Sequence, residues 1–190
     1  MPGNLMTDHS SSRRQDVVDT EIVFGRRQDS LRVFVSSKMH DGSLNEERRA
    51  AADTINDSPL HHAWCWEDDA PVGAHHSEEE CTQHARTSDG LVLLLADELT
   101  QVTRAEYVAA RENGASRYVF VRQGAPLTDE AEQFVEAERK RMTVTGSFAN
   151  TSELKTRLTK ALFESAVRSE RESVTRRRTA EMGSTVPIGE

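Results

Sequence analysis

The chain has 190 residues, 36% of them apolar, with 24 Lys plus Arg against 32 Asp plus Glu, giving a formal net charge of −8. That length predicts one ordinary domain with tails rather than two cores. The acidic balance, with no Lys/Arg stripe in the apolar-rich part, disfavours a phosphate-backbone binder, so nucleic acid is not expected as a partner. No window approaches the roughly 18 consecutive apolar residues of a membrane span, and MPGNLMTDHSSSRR lacks the apolar core of a signal peptide, so a cytoplasmic protein away from membranes is expected. Two cysteines, Cys65 and Cys81, are too few for a disulfide framework and match a reducing compartment.

Residues 1–30 hold few apolar side chains and a polar Ser10–Arg14 run, and are expected to be a disordered or flexible segment. Residues 166–190 are charged without an apolar stripe and read as a polar helix extension and tail. The folded unit is therefore placed at 31–165.

Within that span apolar strands alternate with helix-patterned segments. LRVFVSS (31–37) is a β-rich run. Ser43-Leu44-Asn45-Glu46 is a capping box that opens a helix to about Asp57. HAWCWE (62–67) reads as the second strand, with Trp64 and Trp66 alternating about Cys65 and packing on one face. Ser77-Glu78-Glu79-Glu80 is a second capping box, for a helix to about Thr87. DGLVLLLAD (89–97) is apolar without alternation, which marks a central strand buried on both faces. A helix over 100–113 ends at Gly114, a strand follows at 117–122, and a helix over 128–141 presents Ala131, Phe134 and Val135, with Ala137 at the margin. MTVTGSF (142–148) reads as an edge strand. Asn150 and Glu153 cap a last helix carrying Leu154, Leu158, Ala161 and Leu162. The order implies an α/β fold, a flavodoxin-like, doubly wound, five-stranded parallel sheet.

Ligands of such sheets bind beyond the carboxyl ends of the strands where the strand order reverses, here between the first and third strands. Ser36, Ser37, Lys38 and Asp41 leave the first strand, Asp97 and Glu98 leave the third, and Thr103 and Glu106 follow on the next helix. Neither G-x-G-x-x-G nor a P-loop occurs, so a Rossmann dinucleotide site is not expected.

VFVSSKMHDGSLNEERR (33–49), SDGLVLLLADELTQVTRAEYVAA (88–110) and RYVFVR resemble an uncharacterised prokaryotic TIR-like family related to TIR domains and nucleoside 2-deoxyribosyltransferases. The likeness rests on Val33, Phe34, Ser36 and Ser37, on the Glu47-Arg48 pair, and on the T-x-x-E-Y-x-x-A helix of Thr103, Glu106, Tyr107 and Ala110. The resemblance implies a TIR-like domain and carries the role of catalytic carboxylate to Glu106. It implies cleavage of an N-glycosidic bond in a nucleotide, NAD or a nucleoside monophosphate, in a conflict or signalling system where a homo-oligomer or protein partner sets activity. NAD or the nucleotide would then be substrate, with no cofactor. Cleavage passes through an oxocarbenium-like sugar, so an anion near C1′ is what the chemistry needs. Ser36, Ser37, Asp41, Asp97, Thr103 and Tyr107 are the candidate substrate-binding residues, for phosphate, ribose hydroxyls and base.

Plainer readings stand beside these. Thr103-Arg104-Ala105-Glu106 is also a capping box, in which Glu106 serves its own helix. Ser36 and Ser37 suit simple turn chemistry, Tyr107 can cover the sheet, Glu67-Asp68-Asp69 suits a solvated loop, and Arg176–Arg178 a solvated tail. The histidine pairs His61-His62 and His75-His76, and His84 near Cys81, lack a recognised zinc spacing, so no metal is expected. A non-catalytic interaction or nucleotide-sensing module is the alternative function.

Overall fold

The computed structural model describes residues 30–39, 43–70 and 77–183. The 1–29 segment, Asp41, His75, His76 and the last seven residues lie outside the described residues. Five strands, β1 (Leu31–Ser37), β2 (His61–Trp64), β3 (Gly90–Leu95), β4 (Ser116–Arg122) and β5 (Val144–Phe148), form one parallel sheet in the order β2-β1-β3-β4-β5. The helices are α1 (Asn45–Asn56), α2 (Trp66–Asp69), α3 (Ser77–Arg86), α4 (Gln101–Glu112), α5 (Asp129–Lys140) and α6 (Thr151–Gly183). This is the expected flavodoxin-like doubly wound sandwich.

Strand alternation divides the core in two. On one face Val33, Val35, Val92, Leu94, Phe120 and Phe148 pack beneath α1 and α6. On the other Phe34, Leu91, Leu93, Leu95 and Val119 pack beneath α3, α4 and α5. Every residue of β3 is buried, because helices cover both sides of the central strand.

Several element ends differ from the sequence expectation. The helix α1 starts with Leu44 at its N-cap and no side-chain cap bond there, so Ser43 is not its capping residue. The second strand stops at Trp64, and Trp66 opens α2 instead of sharing a strand face with it. Trp64 stacks on Phe34 at 4.9 Å and on His84 at 4.2 Å. Met142 has φ 62, a left-handed turn residue, so β5 begins two residues later at Val144. Asn150 does cap α6, accepting from the Glu153 amide at 2.9 Å while the Glu153 carboxylate accepts from the Ala149 amide at 2.8 Å. Among the described residues no helix is long and apolar enough to cross a membrane.

Candidate functional site

The carboxyl ends of β1 and β3 are neighbours through the pairing of Ser36 with Leu93 and of Ser37 with Leu94. Ser36 continues the face of Phe34, and Ser37 continues that of Val33 and Val35. The two serines therefore serve different sides of the sheet.

On the Ser36 side stands Glu106. Its helix is capped by Thr100, whose side chain accepts from the Thr103 amide at 3.2 Å and bonds the Thr103 hydroxyl at 2.8 Å. The capping-box reading of Glu106 is thereby corrected: the helix starts three residues earlier than that box requires, and Glu106 lies in the second turn. From there it points to the sheet, and the Ser36 hydroxyl donates to its Oε2 at 2.6 Å. The Cys81 thiol of α3 hydrogen bonds the same carboxyl group. Glu106 is 6% exposed, and this burial pushes its pKa up to about 7 against the two bonds that favour the carboxylate. Burial, with Glu106 nearby, pushes the Cys81 thiol up to about 12, so that it stays protonated and donates.

On the Ser37 side stands Arg48 of α1. Its Nη1 donates to Ser37 Oγ at 3.1 Å and to the Lys38 carbonyl at 3.3 Å, and its Nη2 to Asn45 Oδ1 at 2.8 Å. Nη2 also pairs with Glu67 of α2, so Glu67 belongs to an ion pair and not to a solvated loop. Between the two faces, Lys38 Nζ meets Asp97 at 2.6 Å and Glu98 at 2.9 Å, tying the exit of β1 to that of β3. Neighbouring Glu47 pairs with Arg122 of β4.

Of the candidate residues, Ser36 and Glu106 are in direct contact, and Ser37 and Asp97 flank them at the same edge. Thr103 is consumed by the helix cap. Tyr107 turns away: its hydroxyl donates to buried Glu138 at 2.6 Å and its ring meets Phe134 edge-on at 4.9 Å. Burial alone would raise Glu138, but bonds from Tyr107, Thr143 and Arg141 and the charge of Arg117 hold it below the usual carboxylate range. Asp41 lies outside the described residues. Sequence reasoning put Lys38 at this edge but did not place Arg48 or Cys81 in the site. The Glu47-Arg48 pair was visible as a motif, but that both residues are buried, Glu47 on Arg122 and Arg48 on Ser37 and Glu67, depends on partners from distant parts of the chain. Among the described residues no group of three or more His, Cys, Asp or Glu is placed to hold a metal ion.

A doubly wound α/β domain with a buried carboxylate and a hydroxyl at its switch point is the class that this fold and site define. Residues 32–163 match the family described as "Domain of unknown function (DUF4062)", and the chain belongs to that family. A search of curated proteins gives no match.

Proposed function

We propose that the chain cleaves the N-glycosidic bond of a nucleotide, NAD or a nucleoside monophosphate, with Glu106 as the carboxylate facing the sugar. The observation that carries this is the position of Glu106: it is free of its own helix cap, buried, and bonded to Ser36 at the carboxyl ends of β1 and β3, where the strand order reverses. The similarity of the V-F-V-S-S and T-x-x-E-Y motifs to TIR-like and deoxyribosyltransferase families supports the same chemistry. In the reaction the bond from C1′ to the base nitrogen breaks with its electrons on the base. A water oxygen bonds C1′, and one water proton goes to the departing base of a nucleoside monophosphate, or to solvent when the leaving group is the neutral nicotinamide of NAD. Ionised Glu106 stabilises the cationic sugar or bonds it transiently, and Ser36 holds the carboxylate in place. Self-association as an activating switch in a prokaryotic conflict or signalling system belongs to the same proposal.

One observation favours a second reading, a non-catalytic interaction or nucleotide-sensing module. Glu106 is nearly enclosed, and the Lys38 ion pairs stand at the same edge. Incubating concentrated protein with NAD and a panel of nucleoside monophosphates, and following base release by chromatography, separates the two. Release by the unaltered protein, reduced at least about a hundredfold in Glu106→Gln, is the expected result. Absence of release from every substrate overturns the glycosidase, and saturable binding that persists in both proteins then identifies a sensor.

A further inference from the structure

Glycosidic chemistry at Glu106 uses one face of β1; the other face carries a cation whose setting is unusual. Arg48 is fixed from the protein side by neutral acceptors, Ser37, Asn45 and the Lys38 carbonyl. Among the described residues its one ion-pair partner is Glu67, on a helix of four residues. The exposures are lopsided: the Arg48 side chain is 7% exposed and Glu67 38%, while Lys38 is 18% exposed against 32% for Asp97 and 51% for Glu98. The cations are the buried, positioned members, and the anions are the solvent-facing, replaceable ones. Arg48 Nε is also buried and donates to nothing among the described residues. A buried guanidinium without an anion is costly, so Glu67 serves as its resident counter-ion. A phosphate oxygen set matches the planar fork at least as well as a carboxylate does.

We infer that Arg48 is the hold for a sugar phosphomonoester, and that Glu67 occupies the position the phosphate takes when substrate enters. Ser36 and Ser37 are consecutive at the end of β1, so Glu106 and Arg48 reach the same sheet edge from its two faces, and a ligand lying across that edge would meet both. The inference rests on the glycosidase reading for the identity of the sugar, and it narrows the substrate of that reading to a nucleoside monophosphate, whose phosphate is a monoester as the diphosphate bridge of NAD is not.

The test is calorimetric binding of ribose 5-phosphate and of ribose to the full chain, which needs no turnover. Ribose 5-phosphate is expected to bind at least tenfold more tightly than ribose. Glu67→Gln, which removes the competing anion, tightens ribose 5-phosphate binding several-fold and leaves ribose unchanged, and Arg48→Gln weakens ribose 5-phosphate at least tenfold. Should Arg48→Gln not fold, Glu67→Gln decides alone. Equal binding of the two sugars, binding of neither, or no tightening in Glu67→Gln overturns the inference. Base release with no preference for phosphorylated substrates removes the Arg48 assignment and leaves the glycosidase. Phosphate-dependent binding without base release does the reverse.

Discussion

Glu106 is a stability liability at neutral pH as well as a candidate catalyst. Its folded-state pKa, raised from 4.5 to about 7, means the folded chain holds a proton that the unfolded chain has already lost in that interval. Stability therefore falls as pH rises from about 4.5 to about 7, and the full cost, at most about 3 kcal/mol, is present above that range. Glu106→Gln keeps an acceptor for Ser36 and cannot ionise. Thermal unfolding should place the variant about 5 °C above the unaltered protein at pH 8 and level with it at pH 4. A difference that does not change with pH would mean that the folded carboxyl titrates normally. Catalysis by the ionised form runs the other way, so base release should rise through about pH 7. The sequence put Glu106 and Ser36 at one edge because β-strand ends and the following helix are legible from apolar runs and motifs. It did not separate Ser36 from Ser37, since adjacent serines carry no apolar signal of their own and only their neighbours Phe34 and Val35 show which face each joins.

At the scale of elements, propensity located the strands and helices, and local geometry moved their ends. Trp66 looked like strand because aromatic residues favour β structure, yet Asp69 accepts from the Cys65 amide at 2.7 Å and the chain turns into α2. Met142 follows the same logic: β-branched Thr143 and Val144 extend the strand signal backwards, but the turn after α5 needs a left-handed residue there. Met142 is 86% exposed at φ 62, so its side chain gains little from packing while its backbone is strained. Met142→Gly should stabilise the protein by about 0.5–1 kcal/mol in urea unfolding, the relief of strain exceeding the added entropy of the unfolded chain. A loss of stability would show that the methionine packs.

For the whole molecule, the fold class was legible because the βα alternation admits few topologies and β3 is apolar on both faces, whereas the strand order was taken by analogy with flavodoxin-like sheets, which the order β2-β1-β3-β4-β5 matches. The length of α6 was only partly so. Leu154, Leu158, Ala161 and Leu162 anchor its first turns in the core, whereas the turns beyond Ser169 are mostly exposed. Truncation after Glu172 should leave the unfolding temperature within about 2 °C, whereas Leu158→Ala, at a fully buried position, should cost about 2–5 kcal/mol. A large loss on truncation would show that the distal turns support the domain.

The strand order also fixes a timetable. β1 cannot acquire its second neighbour until β3 has been made, and the Ser36 to Glu106 bond joins residues 70 apart in the chain. During synthesis, Leu31–Ser37 and His61–Trp64 must wait as an incomplete pair until the chain beyond Glu112 has emerged and α4 can close over them. The candidate site thus cannot assemble before α4 has been made, and a nascent chain that ends short of it has none of its chemistry.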